Sequence, residues 1–194
     1  MRIITGSAKG LILKSPKGWE TRPTSDRIKE SLFSVLNVMI DFEDKTVLDL
    51  FAGTGALGLE TLSRGAANVV FIDKATAAVI KDNAARAHFE NSVEIISSDV
   101  FKIIDKFARQ ERQFDLIFCD PPYNKGLWER ALNQIDEKNL LSEDGILIIE
   151  KGADELEVPK LINLESIRQI KYGHTTSIEI FRRNNEKGNL HGQF

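Results

Sequence analysis

The chain has 194 residues and a formal net charge of −3, with 42% hydrophobic and 28% charged residues. This length suits one compact domain, and the composition is ordinary for a soluble globular protein. No apolar run approaches the ~20 residues of a membrane span, and no long apolar segment opens the chain, so neither a membrane protein nor a secretory signal is expected. The single cysteine, Cys119, cannot form an internal disulfide, which favours a reducing, cytoplasmic setting.

The first 41 residues are predicted to form a basic arm and a packing helix that cover a site and contact RNA. Residues 1–30 carry seven basic and three acidic side chains, a net charge of +4 within an acidic protein. Glycines and prolines in this arm favour a short hairpin or extended segment, and apolar residues at helical spacing after Pro23 predict a helix capped by Thr24 or Ser25. The arm is expected to contact phosphates rather than to share in the catalytic core, although a solvated charged arm would have the same composition. The candidate RNA-binding residues are Arg2, Lys9, Lys14, Lys17, Arg22 and Arg27.

Strand and helix patterns then alternate through residues 42–183. Right-handed crossovers turn such a pattern into a mostly parallel sheet with helices on both faces, and two strand patterns joined at Tyr172-Gly173 predict an antiparallel hairpin at its edge. This α/β arrangement looks like the Rossmann-like, seven-stranded class I methyltransferase fold. Residues 184–194 are predicted to be a flexible tail. The predicted strands are 46–51, 68–73, 93–96, 114–119, 145–150, 163–171 and 174–182, and the predicted helices are 56–64, 75–88, 100–108 and 126–137.

The first predicted strand ends at a glycine turn containing Gly53, Gly55 and Gly58. Such a turn lets main-chain N–H groups and the next helix N-terminus face a ligand. With Asp73 ending the next strand, the same glycines match the dinucleotide fingerprint, so a nicotinamide oxidoreductase is one interpretation. Asp49 favours another, because an acid four residues before the first glycine can reach the ammonium end of an amino-acid-like ligand. Asp49 and Asp73 together suit S-adenosylmethionine, with Asp73 at the ribose hydroxyls.

Asp99 follows the third predicted strand, where its carboxylate can accept from an adenine amino group. It can also cap the following helix, and the two roles are compatible. The candidate cofactor-binding residues are Asp49, Phe51, Gly53, Gly55, Asp73, Lys74, Asp99 and Val100.

The most specific motif is Asp120-Pro121-Pro122-Tyr123, which follows a buried strand and supplies the candidate catalytic residues. Two prolines cannot continue a central strand, so they fix a stiff turn that holds the Asp120 carboxylate and the Pro121 carbonyl as acceptors. Two aimed acceptors suit the exocyclic amine of a nucleobase, whose nitrogen lone pair is delocalised into the ring. Tyr123 is expected to stack on the flipped base through its ring, with a dispensable hydroxyl. The alternative is a purely structural proline turn, and only then does the oxidoreductase interpretation persist.

Two other residue types are assigned no chemistry. Cys119 lies in an apolar strand and is expected to be buried in the core rather than to act as a nucleophile. The histidines His88, His174 and His191 lack metal-ligand spacing, so no metal is expected.

Four stretches of the chain match a known family: residues 2–10, 21–33, 48–58 and 120–123. On these stretches the chain resembles the bacterial 16S ribosomal RNA (guanine(966)-N2)-methyltransferase family over nearly all of residues 1–183. The resemblance implies a guanine 2-amino group in small-subunit rRNA as acceptor, S-adenosylmethionine as donor, and the small subunit or its assembly intermediate as partner. The chain departs from the family's frequent basic residue after Gly10, since Leu11 stands there, which puts one phosphate contact in doubt.

Other classes are less well matched. A DNA or other RNA amino-methyltransferase of the N6-adenine type shares the proline motif, but the DNA enzymes usually have Asn at its first position and a separate target-recognition domain, for which this chain has no room. A non-catalytic RNA-binding module would leave Asp49, Asp73 and Asp99 without a purpose. A monomer is expected.

Overall fold

The computed structural model describes residues 1–16, 23–155 and 158–184. Helices and strands alternate along most of this part of the chain. In chain order they are α1 (Pro23–Met39), β1 (Thr46–Leu50), α2 (Ala56–Ser63), β2 (Asn68–Ile72), α3 (Ala77–Arg86), β3 (Val93–Ile96), α4 (Val100–Arg109), β4 (Phe114–Cys119), α5 (Leu127–Lys138), β5 (Leu141–Gly152), β6 (Leu164–Tyr172) and β7 (Thr176–Arg183).

The strands form one seven-stranded sheet in the order β3-β2-β1-β4-β5-β7-β6. Strands β1 to β5 are parallel, and β7 lies antiparallel between β5 and β6. The predicted α/β fold with a terminal antiparallel hairpin is confirmed. Because strand order reverses between β1 and β4, a crevice opens beyond their carboxyl ends, where ligands bind in sheets of this kind.

A hydrophobic layer lies on each face of the sheet. On one face Phe33 of α1 and Leu59 of α2 pack with Phe118 of β4, and on the other Phe107 of α4 and Leu132 of α5 belong to a second cluster. Burying each such side chain contributes roughly 1.5–3 kcal/mol, so both helical layers hold the central strands in place. The prediction of helices on both faces is confirmed.

The N-terminal arm is fastened to α2 and contributes to the hydrophobic core. Ile3 and Leu13 are buried in the same cluster as α1 and α2. The buried carboxylate of Glu60 accepts hydrogen bonds from the main-chain N–H groups of Ile4 (2.8 Å) and Thr5 (3.0 Å). The arm bends back on itself through a single antiparallel bridge between Arg2 and Ile12, which is the short hairpin form that the sequence predicts.

Some element boundaries differ from prediction for local reasons. Helix α1 begins at Pro23, before the predicted caps. Helix α3 begins at Ala77 rather than residue 75, because the Asp73 carboxylate holds the main-chain N–H groups of Ala75 and Thr76. Strand β5 begins at Leu141 rather than residue 145, since an irregularity in β5 between Leu141 and Ile146 lets Leu141 pair with Phe114. The predicted flexible tail lies, apart from its first residue, outside the described residues.

Candidate active site

A cavity of about 920 Å³ opens at the carboxyl ends of β1, β2, β4 and β5. Residues of the arm and of α1 form one wall, including Met1, Ile28 and Leu32. The cavity brings together every candidate catalytic and cofactor-binding residue except Gly55. Those lining it are Asp49, Phe51, Gly53, Asp73, Lys74, Asp99, Val100, Asp120, Pro121, Pro122 and Tyr123.

The glycine turn shapes the floor of this cavity. Gly53 (φ 55°) and Gly55 (φ 78°) adopt left-handed backbone conformations, which cost glycine nothing, and Phe51 adopts one as well (φ 60°). Gly58 has a different role, because a Cβ there would lie 2.4 Å from the Phe71 ring. Gly53 and Gly55 therefore set the path of the turn, while Gly58 lets α2 pack closely on β2.

Asp49 lies beneath the cavity with 2% of its surface exposed. Its only hydrogen bond among the described residues comes from the main-chain N–H of Gly58, at 3.0 Å. Burial raises the pKa of Asp49 to about 8, and the charge of Asp73 adds to the effect. A buried carboxyl that accepts so few hydrogen bonds is well suited to a cationic ligand group, which would favour the charged form of the carboxyl.

Asp73 and Asp99 are fixed by main-chain donors. Asp73 accepts from Gly53 at 2.9 Å through one oxygen and from Ala75 and Thr76 through the other. Asp99 caps α4 through Oδ1, as predicted, accepting from Phe101 and Lys102. Its Oδ2 accepts no hydrogen bond within the described ranges, so it can accept from a ligand. A buried acid for an ammonium group, a fixed acid for hydroxyls and a free acceptor for an amine fit S-adenosylmethionine.

The proline motif begins where β4 ends. The main-chain N–H of Asp120 still meets the carbonyl oxygen of Leu50, at 3.5 Å, and Pro121 and Pro122 then take the chain out of the sheet. The Asp120 side chain is exposed to the cavity, and enough protein surrounds its carboxyl group to desolvate it. Desolvation, the charge of Glu150 and the charge of Asp49 together raise the pKa of Asp120 well above its ordinary value.

The Tyr123 hydroxyl makes two contacts within the site that the sequence patterns did not predict, and its dispensability for turnover stays a prediction. It donates to Glu150 Oε1 at 2.5 Å and lies 3.1 Å from Thr176 Oγ1. Burial, followed by the neighbouring charge of Glu150, raises the pKa of Tyr123 above its ordinary value, so the hydroxyl keeps its proton and remains a donor. The ring is therefore held at one edge, with its position fixed by β5 and β7.

Sequence reasoning missed Glu150, Thr176 and Lys29, all of which line the cavity. Glu150 could have been found, because it ends a predicted strand in the same way as Asp73. Lys29 could not have been found from the sequence, since its charge was counted with the other basic residues of the N-terminal region. It is 3% exposed, donates to the Arg2 carbonyl oxygen at 2.5 Å and lies 3.1 Å from Glu60 Oε2. Burial lowers the pKa of Lys29.

The candidate RNA-binding residues are only partly described. Arg2, Lys9, Lys14 and Arg27 are exposed, and Lys14 forms an ion pair with Asp82 at 2.8 Å. Lys17 and Arg22 lie outside the described residues. Their contacts with RNA stay predictions.

Three further observations concern Cys119, metal-ligating side chains and membrane-spanning helices. Cys119 is 1% exposed, which confirms its predicted place in the core, and burial raises the pKa of its thiol. In residues 1–16, 23–155 and 158–184, no group of three or more His, Cys, Asp or Glu side chains is arranged to hold a metal ion. None of the helices in the same ranges has the length and apolarity needed to cross a membrane.

The sheet order, the glycine turn and the acids at the strand ends define a class I S-adenosylmethionine-dependent methyltransferase. The model of the family described as "Conserved hypothetical protein 95" matches residues 1–181, and the chain belongs to that family.

Relatives with assigned names agree with this class. The chain is 36% identical over 186 residues to YlbH of Bacillus subtilis, a proposed rRNA methyltransferase, covering 94% of this chain and 99% of YlbH. It is 34% identical over 156 residues to the ribosomal RNA small subunit methyltransferase D of Escherichia coli, covering 79% of this chain and 76% of that one. The solved structure of yhhF from Escherichia coli, a proposed methyltransferase, superimposes with a TM-score of 0.79 at 29% identity, covering 95% and 98% of the two chains.

Proposed function

We propose that this protein transfers a methyl group from S-adenosylmethionine to the 2-amino group of a guanine in small-subunit rRNA. The observation that carries the proposal is the opening of the glycine turn and of Asp120-Pro121-Pro122-Tyr123 into one cavity. A methyl donor and an acceptor amine can then meet there. The names of the relatives, which refer to rRNA and in one case to the small subunit, support the choice of substrate.

In this proposal three acids each bind a different group of the cofactor. Asp49 holds the ammonium group, Asp73 accepts from the ribose hydroxyls, and Asp99 Oδ2 accepts from the adenine amine. Each of these carboxyls lines the cavity. When bound, the cofactor supplies an electrophilic methyl group attached to a positively charged sulfur. The ammonium group also relieves the unfavourable burial of the Asp49 charge.

The proline motif acts on the base. The Asp120 carboxylate and the Pro121 carbonyl accept the two hydrogens of the amine, which draws the nitrogen lone pair out of the ring and towards the methyl carbon. The nitrogen–carbon bond would form as the carbon–sulfur bond breaks, with the electron pair of the broken bond going to the sulfur. The charge of Asp120 stabilises the positive charge that develops on the amine, and one of the two amine hydrogens then leaves as a proton. Tyr123, fixed through its hydroxyl, offers its ring as a stacking surface for the base.

The acceptor must be an unpaired guanine. A guanine 2-amino group lies in the minor groove of a paired helix, so the base has to leave the stack to enter this cavity. The exposed cations Arg2, Lys9, Lys14 and Arg27 lie on the arm and α1, which border the cavity, and they supply phosphate contacts. The enzyme would act as a monomer in the cytoplasm, on the small subunit or its assembly intermediate.

The Asp120→Asn variant tests this proposal. Asn keeps the shape of Asp120 and removes the charge that stabilises the transition state, so methyl transfer should fall by at least ~10²-fold while cofactor affinity stays the same. Transfer of a labelled methyl group to small subunits that lack the modification measures the first quantity, and calorimetry with S-adenosylhomocysteine measures the second. Full turnover in the variant would show that Asp120 has no part in the chemistry.

A further inference from the structure

Glu150 lies beside Asp120 at the carboxyl ends of two neighbouring strands. In the parallel pairing of β4 with β5, Cys119 is level with Ile149, so the next residue on each strand is level with the other. Neighbouring strands are about 4.8 Å apart, and residues level with each other in a parallel pair point to the same face. Asp120 and Glu150 both line the cavity. The site therefore presents two carboxyl groups side by side.

The two oxygens of Glu150 differ in their surroundings. Oε1 accepts from the Tyr123 hydroxyl at 2.5 Å, and that hydroxyl is also in contact with Thr176. Oε2 has no hydrogen bond to any other residue in the part of the chain that the structure describes. Tyr123 thus fixes the side chain through one oxygen and leaves the other to accept from a ligand.

A pair of neighbouring acceptors matches a particular edge of a nucleobase. Guanine carries the N1–H donor directly beside the 2-amino group, so it presents neighbouring donors to the two carboxyls. Adenine instead places the unprotonated N1 beside its 6-amino group, and the lone pair of that nitrogen would face a carboxylate. Two carboxylates held side by side also repel each other, and two donors relieve that repulsion.

We propose that Glu150 accepts the N1–H of the target guanine while Asp120 accepts from its 2-amino group, so that Glu150 makes the site select guanine. The inference rests on the proposed function and assigns to Glu150 the recognition of the base rather than the methyl transfer itself. Tyr123 acts as a positioning residue for Glu150 in addition to stacking on the base.

The test compares guanine with 2-aminopurine, which keeps the 2-amino group but has no hydrogen on N1. Small subunits are reconstituted with 16S rRNA ligated from segments, so that the target position holds either guanine or 2-aminopurine. The value of kcat/KM is then measured for each of the two substrates. The wild-type protein should prefer guanine by at least ~10²-fold, because a site built to accept an N–H rejects an analogue that lacks it. In Glu150→Gln the preference should fall by at least ~10-fold, since the new amide can donate to the unprotonated N1.

Controls separate recognition from folding. The ratio of the two kcat/KM values is internal to each protein, so a loss of folded enzyme lowers both values equally and leaves the ratio unchanged. Glu143→Gln makes the same chemical change at an exposed position of β5 and should keep the wild-type ratio. Tyr123→Phe, which removes the donor that holds Glu150, should lower the ratio in the same direction as Glu150→Gln.

The outcomes distinguish this inference from the proposed function. A wild-type protein that leaves guanine-containing subunits unmodified would overturn the proposed function itself. If the wild-type protein methylates guanine and 2-aminopurine equally well, or if Glu150→Gln keeps the full preference, the enzyme is still a guanine-N2 methyltransferase but Glu150 does not recognise N1–H.

Discussion

Replacing Asp49 with Asn should stabilise the protein at neutral pH and weaken its hold on the cofactor. Asp49 is 2% exposed and accepts a single main-chain hydrogen bond, from Gly58, which the Asn carbonyl oxygen can still accept. Burial raises the pKa of Asp49 from 3.8 to about 8. At about 1.4 kcal/mol for each of the roughly three pH units between 3.8 and 7, the ionisable Asp49 lowers the free energy of unfolding at pH 7 by about 4 kcal/mol.

The sign of the effect follows from where the proton binds. Between pH 4 and pH 8 the folded protein holds the Asp49 proton more tightly than the unfolded chain does, so this contribution to stability is complete below pH 3.8 and is lost as the pH rises to about 8. Asn does not titrate. The difference in unfolding free energy between variant and wild type should therefore widen by about 3 kcal/mol from pH 5 to pH 7, because only the wild type has Asp49 to titrate.

Urea unfolding at pH 5, 6, 7 and 8 measures this difference. The control is Asp144→Asn, the same chemical change at an exposed position of β5. Calorimetry with S-adenosylhomocysteine should show at least ~10-fold weaker binding to Asp49→Asn, since a charged hydrogen bond to the ammonium group is lost. A difference in unfolding free energy that stays constant from pH 5 to pH 8 would refute the assignment of Asp49 as a buried, uncompensated acid.

Three further outcomes are expected. Gly58→Ala should lower the free energy of unfolding by about 1–3 kcal/mol, because its Cβ would lie 2.4 Å from the Phe71 ring, and unchanged urea unfolding would show that α2 has room to move. Lys9→Glu should reduce the dependence of RNA affinity on salt by about one phosphate contact or more, with unchanged cofactor affinity, and an unaltered salt slope would remove Lys9 from the interface. The acidic limb of the pH profile of kcat/KM should lie above the pH at which an ordinary carboxyl titrates, because the pKa of Asp120 is raised. The Glu150→Gln variant should move that limb to lower pH, since it removes one cause of the raised pKa. An unmoved limb would show that Glu150 does not act on Asp120.

The acids of the cofactor site could be predicted because one rule places them. Asp49 lies near the end of a strand pattern, Asp73 ends one and Asp99 follows one, and the carboxyl ends of parallel strands meet at one edge of the sheet. Glu150 obeys the same rule but was missed, because its importance depends on the Tyr123 hydroxyl. The direction in which that hydroxyl points is set by the turn after Pro122, which sequence patterns do not describe.

The sequence patterns did not predict the contacts between segments that lie far apart along the chain. The carboxylate of Glu60 joins the arm, α1 and α2 through Ile4, Lys29 and Arg64, which are separated from one another by up to 60 positions along the chain. Helical spacing identifies the apolar face of α1, but it cannot show that Lys29 turns inward to a buried acid. The early start of β5 likewise depends on an irregularity between Leu141 and Ile146, where β5 runs past its partner β4.

The most direct test of the proposed activity is the identity of the methylated nucleoside. Small subunits that lack the modification are incubated with the purified protein and labelled S-adenosylmethionine, and the rRNA is digested to nucleosides for mass spectrometry. The proposed function predicts one new product, N2-methylguanosine, from the small-subunit rRNA. A methyl group on N6 of adenine, on a ring carbon or on a ribose oxygen, or an unmodified rRNA despite bound cofactor, would contradict the account.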